Sequence, residues 1–107
     1  MEGREMTALR VSEADLQRTV LDMARWHGVL AFHSTDPRRD TCAGFPDLVL
    51  LGDRVAFVEL KTATGRVRPD QQIWLDGLRA AGQAVYVIRP RDVADGTVQR
   101  LMRGLRK

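Results

Sequence analysis

Three residues whose types could share one reaction stand in order along the chain: Asp47, then Glu59 and Lys61 within the run Val55-Ala56-Phe57-Val58-Glu59-Leu60-Lys61. A run this rich in apolar and β-branched residues predicts a strand, and alternate side chains on a strand share a face. Glu59 and Lys61 therefore point one way and Val58 and Leu60 the other. A neighbouring predicted strand, Asp47 to Leu51, is separated from this one, Arg54 to Lys61, by only Gly52-Asp53, the signature of an antiparallel hairpin. Hairpin pairing brings two carboxylates and an ammonium to one end of a sheet. Carboxylate oxygens on a rigid sheet are ligands that Mg2+ or Mn2+ accepts, with positions left for water and phosphate oxygens. Such an ion activates water for in-line attack at phosphorus and neutralises charge on the phosphate, while Lys61 stabilises the further negative charge of the transition state. Phosphodiester hydrolysis is the expected chemistry. Taken alone, the same spacing also suits a plain surface ion pair between Glu59 and Lys61.

The pairing carries a register condition. A strict two-residue turn would set Leu51 against Arg54 and Asp47 against Val58, leaving Asp47 on the wrong face for Glu59. A three-residue connection, Gly52 to Arg54, or a β-bulge in either strand restores Asp47 opposite Glu59, and one or the other is expected.

The surrounding elements must hold this end of the sheet. Ser12 ahead of Glu13-Ala14-Asp15 predicts the cap of a first helix, with Leu16, Val20, Met23, Ala24 and His27 at helical spacing and Gly28 as its stop. Val29 to His33 reads as a short strand, and Ser34 to Phe45 as a loop that carries Arg38 and Arg39. Thr62 to Arg68 is a second polar loop, with Arg66 and Arg68 placed to grip a nucleic-acid backbone alongside Arg38 and Arg39. Pro69 and Asp70 open a second helix, whose buried stripe is expected at Trp74, Leu78 and Ala81 and whose end is Gly82. Val85 to Ile88 forms a fourth strand that Arg89-Pro90 breaks. A basic helix closes the chain, Val98, Leu101, Met102 and Leu105 inward and Arg100, Arg103 and Arg106 outward. Trp26 and Trp74 are expected in the core or an interface rather than as stacking platforms for bases. This order predicts one α/β domain over residues 12–107, a central mixed sheet flanked by helices, after an N-terminal extension at residues 1–11.

Composition agrees with that reading. The 107 residues are 44% hydrophobic and 29% charged, as expected of one globular domain without disulfides, and Cys42 has no cysteine partner. Net charge is +3, but the basic residues gather at the C-terminal end, a candidate nucleic-acid contact whose plainer explanation is a solvated helix face. No apolar stretch is long enough to span a membrane and no signal peptide is evident, so a cytosolic protein is expected.

Three motifs in sequence, Gly44-Phe45-Pro46-Asp47-Leu48, Phe57-Val58-Glu59-Leu60-Lys61 and Gly65-Arg66-Val67-Arg68-Pro69-Asp70-Gln71, resemble the PD-(D/E)XK nuclease superfamily and, within it, the VRR-NUC (virus-type replication-repair nuclease) branch. The resemblance runs from about Ser12 to Arg89. It implies a restriction-endonuclease-like αβββαβ core. It further implies that Asp47 and Glu59 are metal ligands completed by the Leu60 carbonyl, that Lys61 is the catalytic lysine, and that Gln71 lines the site. Glu13 is implied to reach towards the metal, although an acid in a helix's first turn and a Gln that caps its own helix are the plainer roles for Glu13 and Gln71. Where many members carry Arg and Asn after the first strand this chain has His33-Ser34, and His33 is expected to be structural. The activity implied is cleavage of branched DNA, four-way junctions first, by a homodimer with Mg2+ or Mn2+. Flap or RNA cleavage and a non-catalytic binding module are the alternatives.

Overall fold

The computed structural model describes residues 10–33 and 42–106, so most of the N-terminal extension and both Arg38 and Arg39 lie outside the described residues. Helix α1 (Glu13–Trp26) is followed by strands β1 (Leu30–His33), β2 (Leu48–Leu51) and β3 (Val55–Leu60), helix α2 (Pro69–Ala80), strand β4 (Ala84–Ile88) and helices α3 (Pro90–Ala94) and α4 (Thr97–Leu105). The sheet runs β1-β2-β3-β4; the first two pairings are antiparallel and β3 with β4 is parallel, the mixed sheet expected.

Local chemistry explains where the helices start and stop. The Asp15 N–H donates to Ser12 Oγ at 3.0 Å, satisfying one of the free donors at the head of α1, and the chain leaves that helix through Gly28 at φ 71°. Pro69 opens α2, and Gly82 at φ 85° follows its end. The basic helix expected at the C-terminus is α4, and it is preceded by a short helix not expected from the sequence, α3: the chain turns between them at Asp95-Gly96, with Gly96 at φ 86° and Thr97 donating its N–H to Asp95 Oδ1 at 2.9 Å. An Asp-Gly pair is a turn signal that the amphipathic spacing on either side conceals.

One face of the sheet carries the main core. Leu48, Leu50, Ala56, Val58 and Leu60 pack there with Leu16, Val20 and Ala24 of α1 and Val98, Met102 and Leu105 of α4. Side chains of opposite parity, Phe57 and Glu59 among them, face the other side, where α2 lies. The buried positions of α2 are Gln71 and Leu75; Trp74 and Leu78 are only half-buried and Ala81 is exposed, so the stripe expected from Trp74, Leu78 and Ala81 is rotated. Trp26 is 87% exposed and so is no part of the core.

The register condition is met by the connection, not by a bulge. Leu51 pairs with Val55, leaving Gly52, Asp53 and Arg54 as a three-residue link, and the ladder continues to Leu48 against Val58. One step further in the same register sets Asp47 opposite Glu59. The link is pinned from outside: the Asp53 N–H donates to the Leu105 carbonyl at 2.6 Å, which satisfies a free acceptor at the end of α4. Gly52 allows this approach, since a Cβ there would run into that same carbonyl group, 2.9 Å from its carbon. The consequence is testable by urea denaturation. Gly52→Ala should cost about 1–3 kcal/mol through overpacking, whereas Gly77→Ala, in the exposed middle of α2 with no atom near the added Cβ, should gain about 0.5–1 kcal/mol.

Candidate active site

Glu59 is the centre of the site. It stands near the end of β3, where the strand is buried on both faces, and is 1% exposed, which for a carboxylate demands partners. Gln71 Nε2 donates to Glu59 Oε2 at 2.7 Å, and Lys61 Nζ stands 3.7 Å from the same oxygen. Glu59 Oε1 is buried without a hydrogen-bond donor. Lys61 is itself 6% exposed, so the pair is no surface ion pair, and the plain reading of the Glu59-Leu60-Lys61 spacing is removed.

Asp47 sits at the mouth of β2, where its Oδ2 accepts the Leu60 N–H at 2.8 Å. That bond ties the first motif to the second and fixes the orientation of the carboxylate. Its placement depends on Gly44 and Phe45. Gly44 has φ 87°, and a Cβ there would collide with the Asp70 carbonyl and lie 2.8 Å from the Gln71 nitrogen, so only glycine lets this loop touch the first turn of α2. Phe45 then packs edge-on against Trp74, with ring centres 5.0 Å apart, and against Phe57 at 6.2 Å. Trp74 Nε1 also donates to the Ala43 carbonyl at 3.2 Å, so this tryptophan holds the loop in place.

Gln71 links the helix to the sheet with both halves of its amide. Its Oε1 accepts the Arg68 N–H at 2.9 Å while its Nε2 serves Glu59, so the capping role and the site-lining role are one arrangement. Burial pushes the Glu59 carboxyl up to about 8, helped by the nearby Asp47 carboxylate and by the more distant charge of Glu13; Lys61 opposes them. Glu13, at the head of α1, is also raised, first by partial burial and then by Asp47, against Lys61 and Arg68. The three acids thus share one field. Among the described residues no three His, Cys, Asp or Glu side chains are gathered closely enough to hold an ion together. The pair of Asp47 and Glu59 is what remains, and it fits one hard divalent cation: Mg2+ is commonly bound by one or two carboxylates and keeps several waters. The donorless Glu59 Oε1 beside a second carboxylate is the vacancy in hydrogen bonding that such an ion would fill.

Of the remaining expected residues, Arg66 is exposed on the loop before α2, and Arg68 at the head of that helix rests its Nε on Asp70 Oδ1 at 3.3 Å. His33 pairs across the ladder with Leu48, one residue from Asp47, and its Nδ1 is buried without a partner.

A model of the VRR-NUC domain matches residues 13–92, which includes every element from α1 to the start of α3. The chain belongs to the VRR-NUC domain family. It is a nuclease-type domain with a mixed four-stranded sheet flanked by helices. A solved structure described as "VRR_NUC domain protein" superposes with a TM-score of 0.62 at 20% identity, covering 83% of this chain and 86% of that one, and supports the fold. A search of curated proteins found no match.

The raised Glu59 carboxyl has a sign that can be measured. Between its ordinary value of 4.5 and about 8 the unfolded chain releases this proton and the native chain keeps it. Stability of the metal-free VRR-NUC domain should therefore fall as pH rises through that window. Thermal melts in EDTA should show this fall for the wild type and a flatter profile for Glu59→Gln. Added Mg2+ or Mn2+ at pH 8 should raise Tm only while Glu59 is present.

Proposed function

We propose that this domain is a divalent-metal-dependent DNA endonuclease acting on branched DNA, with four-way junctions as its first substrate. The observation that carries the reading is the meeting of half-buried Asp47 with the buried Glu59, Lys61 and Gln71. Burying a carboxyl group and a lysine beside a second acid at the end of a sheet is costly, and a domain that only bound nucleic acid would gain nothing from it.

In this reading Asp47, Glu59 and the Leu60 carbonyl hold Mg2+ or Mn2+, with Glu13 near enough to add to the field. When bound, such an ion supplies charge neutralisation on the phosphate and activation of the attacking water. The chain's own residues do the rest. Lys61 Nζ, held beside Glu59 Oε2, places a positive charge where negative charge builds in the transition state. Gln71 fixes the rotamer of Glu59, and the Leu60 N–H fixes Asp47, so neither carboxylate has to reorganise when substrate arrives. Arg66 and Arg68, with Arg38 and Arg39, grip phosphates on either side of the cut.

Junction resolution needs two symmetric incisions, and one domain supplies one site, so the proposed assembly is a homodimer. An apolar region on the α2 side of the sheet supports it. Leu30, Leu51 and Val55 lie in one cross-strand row and Phe32 in the next, with Leu30 and Phe32 being 69% and 65% exposed.

Cleavage of labelled junction, flap, linear duplex and RNA in Mg2+, Mn2+ or EDTA tests the reading. Metal-dependent cutting, strongest on the junction, is expected, with Glu59→Ala and Lys61→Ala slower by about 10²-fold or more but still binding DNA. No metal-dependent cutting of any substrate sinks the enzyme. In sedimentation, the wild type should run as a dimer and Phe32→Lys as a folded monomer.

A further inference from the structure

Lys61 and Gln71 approach Glu59 from different elements, and the segment joining those elements, residues 62–68, contains no helix or strand. Something must set its path. At its start, the Lys61 N–H donates to the Ile88 carbonyl at 3.0 Å, so the last residue of β4 holds the backbone of the lysine. The next residue, Arg89, turns back towards the segment. Its Nη1 donates to the Thr62 carbonyl and to the Gly65 carbonyl, each at 2.7 Å. Between those two carbonyls the chain closes on itself, Gly65 donating its N–H to Thr62 Oγ1 at 3.0 Å. This small loop rests on the lysine. A Cβ on Gly65 would stand 2.9 Å from Thr62 Oγ1 and 3.7 Å from Lys61 Cδ, so Gly65 lies close beside the aliphatic stem of Lys61.

From this we infer that Arg89 is a positioning residue of the site: its guanidinium clamps the loop at residues 62–65, and through it holds the stem of Lys61 and the approach to Arg68 and Gln71. The inference rests on the nuclease reading for its catalytic consequence alone. Arg89 has no ion pair with a carboxylate among the described residues, and its charge is directed at backbone carbonyls, where charge-assisted bonds are strong and short. Its own place is fixed in turn, because Asp92 Oδ2 accepts the Arg89 N–H at 2.7 Å as the first turn of α3 begins. Half-buried and occupied in this way, Arg89 has a role distinct from that of the exposed Arg66, which is free to meet a phosphate.

The test compares wild type with Arg89→Ala on the full chain, with Arg89→Gln as a second variant should the first not fold. Amide exchange at Gly65 should accelerate by about tenfold or more while the amides of Val58 to Leu60 keep their protection. On the DNA that the wild type cuts, the single-turnover rate at saturating protein should fall about 10- to 100-fold, with DNA affinity within about threefold and the same salt slope. Methylguanidinium should restore part of the rate. Unchanged exchange at Gly65 overturns the inference. So does a parallel loss of rate and affinity with a shallower salt slope, which would make Arg89 a phosphate contact. If the wild type cuts no substrate, the nuclease reading fails separately, and Gly65 exchange still decides whether Arg89 holds the loop.

Discussion

A carboxylate that water cannot reach must be neutralised, hydrogen-bonded or matched by a cation, and Glu59 places that demand on every element around it. One oxygen is met by an amide from α2 and an ammonium from its own strand. The other has no donor and lies in the field of a second acid. Left without a cation, the pair resolves its repulsion by keeping a proton, which is why burial and Asp47 together raise Glu59 so far. In the proposed nuclease a hard divalent ion would answer the same unmet demand. Affinity for that cation and instability without it would then be two expressions of the same burial.

The fold converts that demand into geometry through a few contacts far from the acids. The link from Gly52 to Arg54 sets an odd register, and the end of α4 grips that link through Asp53, so the C-terminus helps decide which face Asp47 occupies. At the other end, Gly44 lets the loop before β2 meet the head of α2, and Phe45 and Trp74 hold it there. Asp47 and Gln71 thereby come to Glu59 from opposite directions. Arg89 completes the frame from β4. Apart from the ring packing of Phe45 on Trp74, each of these contacts is a backbone approach or a hydrogen bond to backbone, which transmits position more rigidly than a surface ion pair such as Arg106 with Asp53, whose side chains are both about half exposed.

The two sheet faces divide the work. The α1 and α4 side is largely apolar and supplies cohesion, while the α2 side carries the polar chemistry at one end and exposed apolar side chains on β1 and β2 at the other. Among the described residues α2 is the helix on that second face, and it brings Gln71 to Glu59 while Leu30, Leu51 and Val55 stay exposed.

Read as sequence, the strands, the helix caps, the mixed sheet and the meeting of Asp47, Glu59 and Lys61 were legible from local periodicity, turn chemistry and motif spacing, and the approach of Gln71 from the family resemblance. Even the condition on the hairpin followed from strand parity. What spacing left open was which of two solutions satisfied that parity, and the tertiary contact between Asp53 and Leu105 selects the three-residue link. Tertiary structure alone also decided that Glu59 and Lys61 are buried, that α2 turns Gln71 and Leu75 inward rather than Trp74, Leu78 and Ala81, that Trp26 stands in solvent, and that a short helix, α3, precedes the basic one. Arg89 was visible only as a residue that ends a strand. Its bonds to Thr62 and Gly65 join segments far apart along the chain, and no local pattern encodes which carbonyls a guanidinium will find.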